Sequence, residues 1–185
     1  MKNKILYVNA CVRKESRTNR LAKALLDKLG EYVELDLEKA NLKTLDESRL
    51  NRRAELLLKG ELDDDSFELA RQFAQADIIV VAAPYWDSSF PTIFKAYIEN
   101  IYVTGIVSEY GENGMPHGLC KAEKLYYVTT AGGPYEPKFS YDYVRELCLN
   151  FFGIRETKLI FAENLDIEGS NPEEILDEAI KKIEV

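Results

Sequence analysis

Hydrophobic positions recur along the chain in two alternating rhythms. Lys4–Ala10 and Ile78–Ala83 are short apolar runs of the kind buried on both faces of a parallel sheet. Tyr32–Leu37, Lys124–Thr130 and Lys158–Ala162 complete five predicted strands. Between them the spacing turns helical. Leu21, Ala22, Leu25, Leu26 and Leu29 share one face of a helix that runs from about Thr18 and stops at Gly30. Ser48–Lys59 is leucine-spaced and charged. Asp63-Asp64-Asp65-Ser66 is an acidic helix start, which the helix dipole favours, and Phe67, Leu69, Ala70, Phe73 and Ala74 follow it. Further helices are predicted over Pro91–Tyr102 and Tyr143–Phe152, the second stopped by Gly153. Asn171-Pro172-Glu173-Glu174 opens the last helix with a cap, a first-turn proline and an acidic third position. Val103–Lys121, with four glycines and Pro116, is expected to be a long loop, of the kind used as a lid or an interface.

Strands and helices in alternation predict an α/β fold. Its economical form is one five-stranded parallel sheet in the order 2-1-3-4-5, with helices on both faces and residues 1–185 in a single domain. In such a sheet, ligands bind outside the carboxyl ends of the strands at the switch point. Three unusual loops follow strands 1, 3 and 4, which that order makes neighbours. The first, Cys11–Arg20, crowds Arg13, Lys14, Arg17 and Arg20 beside Ser16 and Thr18 at a helix N-terminus, which suits one phosphate monoester. Ser16 or Thr18 would serve equally as an ordinary N-cap. The loop is neither a Walker A sequence nor a GxGxxG turn, so triphosphates and dinucleotides are poorly supported. The second, Pro84-Tyr85-Trp86-Asp87-Ser88-Ser89-Phe90-Pro91, sets two aromatics between prolines, able either to meet a flat ligand or to cover the core. The third, Ala131-Gly132-Gly133-Pro134-Tyr135, lets the backbone pass close to a ligand or simply turn.

Composition narrows the chemistry. Lys and Arg total 24 against 32 Asp and Glu, a net charge of −8, which argues against non-specific nucleic-acid binding. No stretch approaches the roughly 20 apolar residues of a membrane span, and Met1-Lys2-Asn3-Lys4 shows no cleavage-site pattern, so a cytoplasmic protein is expected. Cys11, Cys120 and Cys148 lie far apart and read as reduced thiols. With His117 as the sole histidine and no GxSxG, zinc and triad hydrolysis recede.

Taken together, the loops resemble those of the NAD(P)H-dependent oxidoreductases of flavodoxin-like fold, the group of FMN azoreductases and NAD(P)H quinone reductases. Ser16-Arg17-Thr18-Asn19, the segment Pro84 to Pro91, Pro116-His117-Gly118-Leu119 and Thr129-Thr130-Ala131-Gly132-Gly133 carry the resemblance. It implies that Ser16, Arg17 and Thr18 hold the phosphate of FMN. It further implies that Pro84, Tyr85, Trp86, Asp87 and Ser88 line the isoalloxazine, partly through backbone N–H groups near N5. Thr130, Ala131, Gly132 and Gly133 then face the pyrimidine edge, with Tyr135 close by. The implied mechanism is ping-pong: NADH or NADPH delivers hydride to flavin N5, and a quinone, azo compound or similar small acceptor then takes it. A homodimer is implied as well, with Tyr102, Tyr110 and the loop to Lys121 as interface candidates. The chain departs from the family pattern at three places. Ala10 stands where azoreductases usually have serine, and Arg13 is positioned to compensate. Ala131 stands where arginine or threonine is common. No histidine follows Tyr135 to complete a proton relay. Two other functions sit on the same fold, an electron carrier served by a protein partner and a flavin-free binding domain.

Overall fold

The computed structural model describes residues 3–185. Five strands, β1 (Ile5–Asn9), β2 (Tyr32–Asp36), β3 (Ile78–Ala82), β6 (Lys124–Thr130) and β7 (Glu156–Ala162), form one parallel sheet in the order β2-β1-β3-β6-β7. Leaving aside two short strands outside this sheet, β4 (Ser108–Tyr110) and β5 (Pro116–Gly118), that is the expected 2-1-3-4-5 arrangement. Registry is unbroken across its centre: Ile5 pairs with Ile78, and Ile78 with Lys124.

Strand alternation divides the core in two. Leu6, Val8, Ile79, Val81, Leu125 and Tyr127 face the layer made by α2 (Glu47–Lys59), α3 (Glu68–Ala74), α4 (Thr92–Ile101) and α5 (Tyr141–Leu147). Ile5, Tyr7, Val80, Tyr126 and Val128 face α1 (Arg17–Leu29) and α6 (Pro172–Lys181). A strand buried on both faces cannot afford the usual apolar/polar alternation, which is why β1 and β3 read as continuous apolar runs. The helices end as their residues dictate. Ser16 accepts from the Asn19 N–H to cap α1, Gly30 closes it at φ 109°, and Asn171 caps α6 with Pro172 in the first turn. Arg53 of α2 donates to the backbone oxygens of Glu99, Asn100 and Tyr102, satisfying carbonyls that α4 leaves free at its end.

Three expectations need correction. Val103–Lys121 is not a structureless loop: β4 (Ser108–Tyr110) and β5 (Pro116–Gly118) pair antiparallel as a small ribbon. Pro91 precedes α4 as its N-cap rather than sitting inside the first turn. The helix from Tyr141 is α-helical only to Leu147; Cys148–Phe152 continue in a π-helical turn that stops at Gly153, φ 80°. That turn packs on the ribbon, where Cys120 N donates to Phe152 O at 3.2 Å.

The hydroxyls of Tyr97 and Tyr127 are buried without a hydrogen-bond partner among the described residues, and burial pushes both phenols well above their ordinary pKa. An unpaired buried hydroxyl costs free energy that a phenyl ring does not. Tyr127→Phe is therefore expected to raise stability by about 1 kcal/mol in urea unfolding; a loss of that size would show that the hydroxyl has a partner after all.

Candidate functional site

At the carboxyl ends of β1, β3 and β6 a cleft of about 350 Å³ opens. It is lined by Arg13, Glu15, Ser16, Arg17 and Thr18 from the first loop, by Pro84, Tyr85 and Trp86 from the second, and by Thr130, Ala131 and Gly132 from the third. The strand ladder runs on past the strands to hold these loops in place. Ala10 N donates to Ala82 O at 2.9 Å, Ala83 N to Val128 O at 3.0 Å, and Tyr85 N to Thr130 O at 3.1 Å. Nine of the thirteen residues expected at the site line the cleft. Asp87, Ser88, Gly133 and Tyr135 stand outside the lining; Asp87 and Gly133 adjoin it along the chain, and the Tyr135 ring packs on Tyr85.

Several expected phosphate groups already have partners. The Ser16 hydroxyl caps α1, as the plainer reading of the sequence allowed. Thr18 is buried, its hydroxyl 2.6 Å from that of Thr130, tying the first loop to the third. Arg20 points away and pairs with Glu173 and Asp177 of α6. Arg17 donates to Asp166 at 2.7 Å. Arg13 is exposed and has no carboxylate partner among the described residues. With Arg13, the first-turn N–H groups of Arg17 and Thr18 form the anion-attracting end of the cleft.

The aromatic loop is a two-residue hairpin turn. Trp86 and Ser89 exchange both backbone hydrogen bonds, at 3.0 and 2.8 Å, while Asp87 and Ser88 carry φ of 49° and 63°. Two consecutive positive φ angles define a type I′ turn. Its two internal bonds use the N–H groups of Trp86 and Ser89 and leave those of Asp87 and Ser88 outside the pairing. Behind it, the Tyr135 ring meets Tyr85 edge-on at 4.9 Å, and its hydroxyl lies 2.9 Å from Ser140 Oγ.

The loop after β7 also reaches the cleft through Leu165 and Asp166. This contribution was missed in the sequence, although strand order carried the signal: the fifth strand lies beside the fourth, so its carboxyl end opens on the same crevice. Asn164, Leu165 and Asp166 donate their N–H groups to the carbonyls of Gly133, Ala131 and Gly132 at 3.0, 3.2 and 2.8 Å.

Beneath the cleft, Cys11 is buried with its thiol near Ala82 O, and desolvation pushes its pKa up to about 11. Burial likewise raises Cys120 and Cys148 to about 12. At pH 8 Cys11 is then held as the thiol, the poorly nucleophilic form. Labelling of the folded protein with a chromogenic disulfide at pH 8 is expected to be slow at all three thiols and to become rapid in denaturant. Fast stoichiometric labelling of one thiol in the folded state would contradict this.

The donor set and shape fit a flavin mononucleotide. One end offers a guanidinium and helix N–H groups for a phosphate, the middle two aromatic rings, and the far edge a glycine backbone. Gly133 has open space where a Cβ would stand, and at Gly132 the atoms nearest to one are those of the Asp166 side chain. No group of three or more His, Cys, Asp or Glu suited to a metal occurs among the described residues. No helix among them is long and apolar enough to cross a membrane.

Known proteins point the same way. A "FMN-dependent NADH:quinone oxidoreductase" of Clostridium beijerinckii is 36% identical over 97% of this chain and 96% of its own. Among solved structures, an azoreductase of Bacillus anthracis superposes with a TM-score of 0.82 at 24% identity, covering 97% of this chain and 96% of that one. A FMN-dependent NADH-azoreductase from the same species, solved in complex with FMN, gives 0.81 at 22%, covering 97% and 95%. Residues 3–185 match the family model described as flavodoxin-like fold, and with the sheet order and the clostridial relative this establishes that the chain belongs to the flavodoxin-like fold family.

Proposed function

We propose that this protein is an FMN-dependent NADH:quinone oxidoreductase that also accepts azo compounds and similar small acceptors. The observation that carries the reading is the meeting of the loops after β1, β3 and β6 in one cleft at the switch point, in a chain 36% identical to an enzyme of that name. When bound, FMN supplies the two-electron chemistry that links a nicotinamide to a quinone. The protein's part is to bind and orient. Arg13, Arg17 and the first-turn N–H groups of α1, with Ser16 and Thr18, hold the phosphate end. Pro84, Tyr85 and Trp86 flank the ring, and the Asp87 and Ser88 N–H groups are available to its polar edge. Thr130, Ala131, Gly132 and Gly133 form the opposite backbone wall, and Tyr135 supports Tyr85. No side chain in the cleft is assigned a catalytic proton.

The same reading treats the chain as one domain, working in the cytoplasm as a homodimer whose second subunit completes the cleft. Trp86 is exposed where it lines the cleft, and Tyr110 and Met115 are exposed on and beside the ribbon. Tyr102, the other interface candidate, packs against Phe151 and Phe152 of its own chain at 5.6 and 5.7 Å. Sedimentation equilibrium tests the dimer.

The test of function is a visible spectrum of the FMN-loaded protein, taken anaerobically before and after NADH and then after a quinone. Loss of the flavin bands with NADH and their return with the quinone is expected. Bands that persist through NADH would identify an electron carrier instead, and failure to take up FMN would identify a flavin-free binding domain.

A further inference from the structure

The cleft carries a carboxylate where a phosphate site should repel one. Asp166 Oδ1 accepts from Arg17 at 2.7 Å, and these side chains are 66% and 40% exposed. The carboxylate does not arrive there by chance of rotamer alone. Three successive N–H groups, of Asn164, Leu165 and Asp166, are bonded to the carbonyls of Gly133, Ala131 and Gly132, and Asn164 turns the chain at φ 62° to make this possible. The missing side chain at Gly132 leaves the room: a Cβ there would stand 3.2 Å from Asp166 Cγ. The loop after β7 is thus laid along the glycine edge, and its acid is delivered across the cleft to the first loop.

We propose that Asp166 is an internal competitor for the phosphate monoester at Arg17, and that it sets how tightly the cleft holds a phosphorylated ligand. Arg17 gives Nη1 to Asp166, and a phosphate that takes the two Nη groups as a fork needs that same nitrogen, so the fork cannot form while the carboxylate stays in place. An exposed ion pair is a weak one. A phosphate dianion entering beside Arg13 therefore displaces the carboxylate, which swings into solvent while its backbone stays on the glycine edge. The pair with Asp166 must be given up before the phosphate is fully held, so affinity for the phosphate is lower than the cation count suggests. The ligand in question, FMN, rests on the function proposed above; the competition at Arg17 does not.

The experiment compares the apoprotein with Asp166→Asn, Arg17→Ala and the double variant. Each is titrated calorimetrically with FMN, with riboflavin and with inorganic phosphate. Asparagine keeps the size and the backbone bonds while removing the charge. Asp166→Asn is expected to bind FMN about tenfold more tightly and inorganic phosphate more tightly too, with riboflavin changed by less than about twofold. In the Arg17→Ala background the gain is expected to vanish. FMN and phosphate binding that stay equal or weaken in Asp166→Asn overturn the proposal. An equal gain for riboflavin also overturns it, since the acid would then act on the ring or ribityl chain. Should none of the proteins take up FMN while the Arg17-dependent gain for phosphate persists, the flavin function fails and the competition stands. Absence of both gains refutes the competition whatever the flavin does.

Discussion

Gly118→Ala is expected to lower stability by about 3 kcal/mol or more, which in a chain of this length lowers the melting temperature by roughly 6–12 °C. The reason is backbone against backbone. At Gly118 the ribbon crosses the π-helical end of α5 so closely that an added Cβ would overlap Gly153 N and Phe152 C and stand 2.5 Å from Gly153 Cα. A flexible side chain would yield; here nothing on the far side can. Gly153 is itself fixed by its left-handed φ of 80° and by the end of the π turn, where its N–H returns to Cys148 O. The affected segment also donates Leu119 N to Val107 O and Lys121 N to Ala74 O, so a shift at Gly118 spreads to the ends of α3 and the ribbon. Chemical denaturation monitored by circular dichroism measures this directly. A variant within about 1 kcal/mol of the parent would mean that the two backbones separate easily.

Gly132→Val is expected to leave the fold nearly intact and to cost at least about a hundredfold in FMN affinity. Gly132 has an ordinary backbone conformation, absent from the positive-φ positions. The three atoms nearest its added Cβ all belong to the half-free Asp166 side chain, which can swing outward. The stability loss is then about 1 kcal/mol or less. The cleft, by contrast, loses its flat backbone wall to a branched side chain, and a rigid planar ligand has no way to adjust. A hundredfold corresponds to about 2.7 kcal/mol, the scale of a steric block in a shaped pocket. Fluorescence quenching of FMN on titration with the variant reads the affinity, and melting reads the fold. Unchanged FMN affinity would remove Gly132 and its neighbours from the flavin wall.

How far the sequence revealed this depends on the reach of each signal. The strands at the sheet centre were readable because burial on both faces leaves uninterrupted apolar runs such as Ile-Ile-Val-Val-Ala at β3. The caps at Ser16 and Asn171 were readable because they are decided within four residues. The ribbon was not, since strands of three residues, Ser108–Tyr110 and Pro116–Gly118, are too short to show a period of two. The π turn was equally hidden: apolar Leu149, Phe151 and Phe152 look the same in either helix. In the cleft, the loops after β1, β3 and β6 declared themselves by local composition. The pairing of Arg17 with Asp166, 149 positions apart, could only come from the fold. The Cys11–Arg20 segment reads as a single cluster of cations because sequence shows charges without their partners, whereas Arg20 pairs with Glu173 and Asp177 of α6.

The type I′ turn at Asp87 and Ser88 bears on how such a protein diversifies. Its form is set by dihedral angles, and the donors it presents are main-chain N–H groups, so the recognition it offers does not depend on which side chains sit there. Asparagine or glycine would keep the bend, whereas valine or isoleucine, intolerant of positive φ, would break it. Within that rule, residues 87 and 88 are free to drift, and each exchange repaints the rim of the cleft without touching its frame. On the proposed function, new preferences for bulky or charged acceptors would then evolve at two adjacent codons, at little risk to the binding of the cofactor.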